Sequence, residues 1–256
     1  MMAIFRCSFR SKVQSSTVCF NVVIPEGLTQ DIPVVLLLHG LSGNQDSWLE
    51  GTPLEKIAAE KGFAMVLPDG RKSWYCDMKY GDQFFTYMVD ELMDYVRAIF
   101  PVSKRREKTF VAGLSMGGYG ALKMALARSE QFAACGALSG AVDILSRMQK
   151  GDKHDQCVAI WGEDYLNVIP GSPDDTFHLA RQLEAAGKPK PWIYQACGTE
   201  DKRLGENHSF RDFIRDRGYV YEYYEGPGRH NWDFWNPEIR KTLDFFNRCM
   251  ESHGAK

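Results

Sequence analysis

No stretch of the 256 residues approaches the roughly 18 consecutive apolar side chains that a membrane-spanning helix requires. The opening MMAIFRCSFRSK contains no apolar segment ending in a small-residue cleavage site. The chain as given therefore predicts neither a visible export signal nor a membrane partner. Excess charge of either sign is also absent: 31 Lys and Arg against 33 Asp and Glu leave a formal net charge of -2, so nucleic acid is not an expected partner. The one basic cluster, Lys104-Arg105-Arg106-Glu107-Lys108, lies between a helix-ending Pro101 and a strand and reads as a solvated loop rather than a phosphate site. Close cysteine pairs are missing too. The seven cysteines, at 7, 19, 76, 135, 157, 197 and 249, are odd in number, and none shows the short spacing of a metal or redox pair. They read as reduced, mostly buried small hydrophobes of a cytoplasmic enzyme that needs neither metal nor other cofactor.

What is present is a regular alternation of elements. The runs 3–9 (AIFRCSF) and 18–24 (VCFNVVI) predict an antiparallel opening pair. After them come six short runs, 33–40, 62–70, 108–115, 132–140, 191–198 and 219–226, nearly all apolar on both faces, as strands covered by helices on both sides must be. Helical patterns separate them at 53–61, 83–100, 116–128, 174–186, 206–217 and about 237–250. In the second of these, Phe84, Phe85, Met88, Leu92, Tyr95, Val96 and Ile99 recur at threes and fours, the stripe of a helix docked on a sheet. The pattern predicts a single α/β domain over 1–256, with a mostly parallel sheet, antiparallel N-terminal strands and helices on both faces. Only 141–173 lacks regularity; it reads as irregular surface loop or as a small excursion over the active face.

Gly113-Leu114-Ser115-Met116-Gly117 fits the pattern G-x-S-x-G. Five residues are too few to carry an argument, but this copy follows a predicted buried strand and opens a predicted helix. In that setting the serine occupies a strained turn, its hydroxyl stands clear at the carboxyl end of the sheet, and the Met116 amide lies at a helix N-terminus, where unpaired N–H groups favour an oxyanion. A serine hydroxyl needs a base within hydrogen-bond reach and an acid to orient that base. His230 follows the last predicted strand in a Gly/Pro-bounded loop and is the expected base. His39 reads as packing beside a turn, and His154, His178, His208 and His253 as surface histidines, His208 being the nearest rival. Asp201, directly after the strand 191–198, is the expected acid; Glu200 and Asp143 are the alternatives. The loop after the first parallel strand, HGLSGNQDSW, would supply the second oxyanion donor, for which Leu41 N–H is the choice. Trp74, Tyr75 and the segment from Trp232 to Trp235 are candidate walls of the substrate site, although core packing is as fitting a role for any one of them.

With these residues in place, the sequence resembles the esterase D-like branch of the α/β hydrolases, and within it the small bacterial tributyrin or acetyl esterases. The resemblance rests on LLLHGLSGNQDSW, WYCDMKYGDQFFTYMVDEL, RREKTFVAGLSMGGYGALKMAL, CGTED and GRHNWDFW, and spans nearly the whole chain. It implies an α/β-hydrolase fold, Ser115 as nucleophile, Asp201 as acid, His230 as base, the Leu41 and Met116 amides as oxyanion hole, and short acyl esters, acetyl to butyryl, as substrates. Carbohydrate-linked acetyl or feruloyl esters, or transfer of the acyl group to an alcohol, are the alternatives within the same branch. HGLSGN departs from the form of this loop in the glutathione thioester enzymes, which turns the expectation away from that substrate. A small-molecule ester is thus the expected partner, and a homo-oligomer is compatible with everything above.

Overall fold

The structure, a computed structural model, describes residues 2–27 and 30–254. Strands β1 (Met2–Arg10) and β2 (Thr17–Pro25) pair antiparallel, and β2 in turn pairs antiparallel with β4 (Ala64–Pro68). From there β3 (Val34–Leu38), β5 (Thr109–Leu114), β6 (Ala134–Leu138), β7 (Trp192–Gly198) and β8 (Tyr221–Gly226) run parallel in one eight-stranded sheet of order β1-β2-β4-β3-β5-β6-β7-β8. β3 through β6 are buried along their whole length, which is why their sequences are apolar on both faces. Edge strand β8 alternates exposed Glu222 and Glu225 with tyrosines. This is the α/β-hydrolase architecture. One face of the sheet packs on the helix Met116–Ala127, the helix over 84–99 and Thr176–Ala185; the other packs on Leu54–Lys61 and the long C-terminal helix Trp232–Ser252. Chain order reverses at β3, whose neighbours are β4 on one side and β5 on the other. The loops leaving β3 and β5 therefore diverge over a crevice at the carboxyl edge, where open α/β sheets place ligands.

Three expectations need correction. The segment 141–173 is not irregular: it forms the helices Ile144–Met148, His154–Trp161 and Tyr165–Val168, and buries Met148, Ile160, Trp161 and Ile169 in the core. Helices this short have little periodicity to reveal them and owe their stability to tertiary burial. The basic cluster is only partly a solvated loop. Lys108 is buried with its Nζ 2.9 Å from Asp31 Oδ2, and Arg106 Nε donates to the Ser129 carbonyl at 2.6 Å. The final helix begins at Trp232, before the expected Pro237, because Asn231 has extended backbone and its carbonyl accepts the Phe234 and Trp235 amides (both 3.2 Å), leaving the proline near the start, where it removes only one helical bond.

The helix over 84–99 contains a π segment, Tyr87–Leu92. Its wider turn shifts the face presented to the sheet, so Val89 and Met93 join the core while Ile99, the last member of the expected stripe, is 56% exposed. Asp77 fixes the start of this helix, accepting from the Thr86 amide (3.0 Å) and hydroxyl (2.7 Å).

One buried ion pair ties these parts together. Lys123, inside the helix that follows β5, meets the Asp174 carboxylate and donates to the Tyr75 carbonyl at 3.1 Å, while Trp161 Nε1 donates to the same carboxylate at 2.7 Å. Burial alone would push the Asp174 pKa up, but the charge and hydrogen bond of Lys123 outweigh it and hold the carboxyl below its usual range.

Candidate active site

Ser115 sits between the last residue of β5 and the first of the following helix with φ 55° and ψ -115°, a left-handed conformation that costs a non-glycine residue about 1–3 kcal/mol. Two close approaches hold it there. A Cβ on Gly113 would stand 2.5 Å from the Gly117 carbonyl carbon, and one on Gly117 would stand 2.4 Å from Leu38 O, so both flanking glycines are required sterically. The Ser115 amide donates to Leu138 O at 2.9 Å, and its carbonyl accepts from Tyr119 and Ala141 (each 3.2 Å), which locks the turn to β6 and to its own helix.

His230 comes to this serine from the loop between β8 and the C-terminal helix. Its Nε2 lies 2.9 Å from Ser115 Oγ, and its Nδ1 lies 2.8 and 3.0 Å from the two carboxylate oxygens of Asp201. Asp201 is held from below: its side chain is fully buried, Oδ1 accepts the Arg203 amide at 2.8 Å, and the carboxylate also accepts from Ser139. Burial would raise the Asp201 pKa, but the hydrogen bond and charge of His230, together with the Ser139 and Arg203 donors, bring it below the ordinary carboxylate value. Ser139 is itself fixed, because Trp235 Nε1 donates to its Oγ at 3.0 Å while the Trp235 ring stands edge-on to the His230 imidazole, 5.0 Å between centroids. Ser139 is not among the site residues expected from the sequence. Its signal was its place, directly after β6, between the strand that carries the serine and the strand that carries the acid.

The alternatives separate on geometry. Asp143 accepts the Ser146 amide at 3.0 Å and caps Ile144–Met148; burial, with Glu206 and Asp175 nearby, raises its pKa. Glu200 pairs with Arg229 at 2.9 Å. His208 bonds Glu225, His253 Nδ1 bonds the Cys249 carbonyl at 2.8 Å, the His154 ring lies 5.9 Å from that of Tyr165, and the His178 amide donates to Asp175 at the start of its helix. None of these meets Ser115.

His39 has a structural part. It is buried, its Nε2 accepts the Gly70 amide at 2.8 Å, and Nδ1, which must then carry the proton, donates to Gly40 O at 2.6 Å. With the Gly43-to-Gly40 turn bond (3.0 Å), this fixes the backbone around Leu41. Leu41 and Ser115 line the same cavity of about 570 Å³, and Met116, the first residue of its helix, is among the amides with no intrahelical acceptor.

Trp74 and Tyr75 do not line that cavity, contrary to expectation. Both are buried; the Tyr75 hydroxyl donates to His39 O at 2.7 Å, and its ring fills the space beside Gly70 and Gly120. They pack behind the Leu41 loop because its carbonyls need a buried donor and the glycine-lined hollow needs a large ring. Trp232 does line the cavity, against Gly51 and edge-on to Trp48 at 5.2 Å, and Trp235 lies beside it. Arg147, Asp152, Lys153, Lys202 and Arg203 also line it, none of them expected from the sequence. Three of these residues, Arg147, Asp152 and Lys153, come from the stretch 141–173.

The Esterase family model matches residues 11–246. An acetyl esterase of Caldicellulosiruptor saccharolyticus is 31% identical over 98% of this chain and 100% of its own length. Among solved structures, a substrate-bound fluorophosphonate-binding serine hydrolase of Staphylococcus aureus superimposes with a TM-score of 0.89 at 28% identity, covering 96% of this chain and 98% of that one. An S-formylglutathione hydrolase of the same organism gives 0.87 at 29%, covering 96% and 99%.

Proposed function

The chain belongs to the Esterase family, and from that premise we propose that this carboxylic ester hydrolase cleaves short acyl esters, acetyl to butyryl, through an acyl-enzyme on Ser115. The observation that carries the reading is the continuous chain Ser115 Oγ, His230 Nε2, His230 Nδ1, Asp201 carboxylate, with each link between 2.8 and 3.0 Å. His230 takes the hydroxyl proton as Oγ attacks the ester carbonyl, Asp201 stabilises the imidazolium that forms, and His230 then protonates the departing alcohol. The Leu41 and Met116 amides receive the oxyanion, each such donor lowering the barrier by about 3 kcal/mol. Water activated by the same imidazole releases the acid. A cytoplasmic setting is part of the same proposal; the seven cysteines are free thiols, five of them buried, and no helix of the described residues is long and apolar enough to cross a membrane.

Short acyl groups rest on the acetyl esterase relative. A p-nitrophenyl ester series from acetate to palmitate tests them, with kcat/KM expected to peak between acetate and butyrate; a maximum at octanoate or beyond overturns the short-acyl reading. S-formylglutathione belongs in the same series, because hydrolysis of it with higher kcat/KM than any oxygen ester would move the substrate class to thioesters. Added glycerol tests transfer: free acid should remain the main product, and an excess of glyceryl ester would replace hydrolysis with acyl transfer.

A further inference from the structure

The two walls of the active-site cavity come from opposite sides of β5 and differ in charge. On the β3 side lie Leu41, Gly43, Gly51 and Trp232, with Glu50 as the one charged residue. On the other side, the segments after β6 and β7 bring Arg147, Lys153, Lys202 and Arg203, against a single carboxylate, Asp152. Behind them, Glu206 Oε1 accepts from Arg203 (2.8 Å) and Lys150 (3.0 Å). This wall therefore carries more cations than carboxylates, in a chain whose formal net charge is -2.

The two arginines of this wall are buried and each is matched by a carboxylate, so the surplus is carried by its lysines. The Arg147 side chain is 5% exposed and that of Arg203 10%, and the buried Nε of each has no hydrogen-bond partner. Arg147 already grips a carboxylate, with Nη1 and Nη2 at 2.7 and 2.8 Å from the two oxygens of Asp152. Lys153 Nζ stands 3.8 Å from Asp152, and the exposed Lys202, next to the acid Asp201, has no side-chain partner among the described residues. Glu206 Oε2 of the same cluster is also buried without a partner, so the guanidinium charges are balanced by Asp152 and Glu206, and the net positive potential comes from the lysines. In a concave site they concentrate positive potential where a substrate enters, and guanidinium and ammonium groups together suit a carboxylate.

We infer that this wall is a subsite for a carboxylate carried on the alcohol part of the ester. The inference rests on the short-acyl reading above: an acetyl or butyryl group leaves most of a 570 Å³ cavity to the alcohol, which then reaches the basic wall. Lys153 and Lys202 are the specificity determinants open to the ligand, with Arg147 and Arg203 as the buried charge behind them.

The test compares 4-acetoxybenzoate with its methyl ester, which differ in the one negative charge, on wild type and on Lys153→Gln, Lys202→Gln and the double variant. The readout is the kcat/KM ratio of acid to methyl ester in each variant, divided by the same ratio in wild type. This double ratio cancels both the different leaving-group reactivities and any damage common to the two substrates. It is expected to fall about tenfold in the double variant, mainly through KM for the acid, and the wild-type ratio is expected to fall as sodium chloride is raised. A double ratio within twofold of unity overturns the subsite. Failure of wild type to hydrolyse either ester overturns the short-acyl reading instead, and the subsite with it.

Discussion

Replacing Ser115 by alanine is expected to lower kcat/KM for p-nitrophenyl butyrate by about 10⁴-fold or more, a barrier increase of at least about 5 kcal/mol. The chemistry leaves no substitute. The other serines that line the cavity, Ser42 and Ser47, follow β3, and the imidazole of His230 is directed at Ser115 Oγ. Any residual rate would come from the oxyanion donors and from binding, which survive the change. The fold should survive as well, since Ser115 donates no side-chain bond other than the one to His230, and alanine inherits the same strained backbone, held by the Leu138, Tyr119 and Ala141 hydrogen bonds. Circular dichroism and a thermal midpoint within a few degrees of wild type would show that the loss is chemical. Retention of wild-type turnover would remove Ser115 from the mechanism.

The second large effect is expected at Asp201. Asn at this position keeps the size but presents an amide to His230 Nδ1, so the imidazole is driven to the tautomer whose Nε2 carries the proton and cannot accept one from Ser115; the cost in kcat is about 10³–10⁴-fold. Asp143→Asn is the control. Its carboxylate caps a short helix by accepting the Ser146 amide, a task asparagine performs nearly as well, so its loss should stay below about tenfold. Burial pushes both carboxyls up, and Asp143 stays raised while Asp201 is lowered because only Asp201 faces an imidazole, with the Ser139 and Arg203 donors beside it. If Asp143→Asn proved the more damaging change, the acid would lie after β6 instead of β7.

The elbow and its partners were legible in the sequence because each is dictated by local chemistry. Glycines at 113 and 117 are needed where backbones come within van der Waals contact, and chain order places Asp201 after β7 and His230 after β8. Strands β3 to β6 were legible because fully buried parallel strands have no polar face to confuse the pattern, and β1, β2 and β8 because of their β-branched and aromatic residues. The second layer of the site was not. Ser139 acts through Asp201 and is recognised only once β6 lies between β5 and β7. Trp74 and Tyr75 look like an aromatic wall in one dimension, but three dimensions put them behind the Leu41 loop, where the Tyr75 hydroxyl satisfies the His39 carbonyl. The basic wall escaped because Arg147 and Lys153 come from a stretch without helical period, while Lys202 and Arg203 lie 49 or more positions further along the chain. Their convergence is a property of tertiary structure alone.

Active-site labelling asks whether Ser115 is the nucleophile of a preassembled triad. The native protein, treated with a fluorophosphonate probe and analysed by peptide mass spectrometry, should carry the phosphonyl group on Ser115 within the peptide that contains Gly113-Leu114-Ser115-Met116-Gly117. Esterase activity should fall in proportion to labelling. A probe bound to another residue, or full turnover of a short acyl ester by protein labelled at Ser115, would rule out Ser115 as the nucleophile.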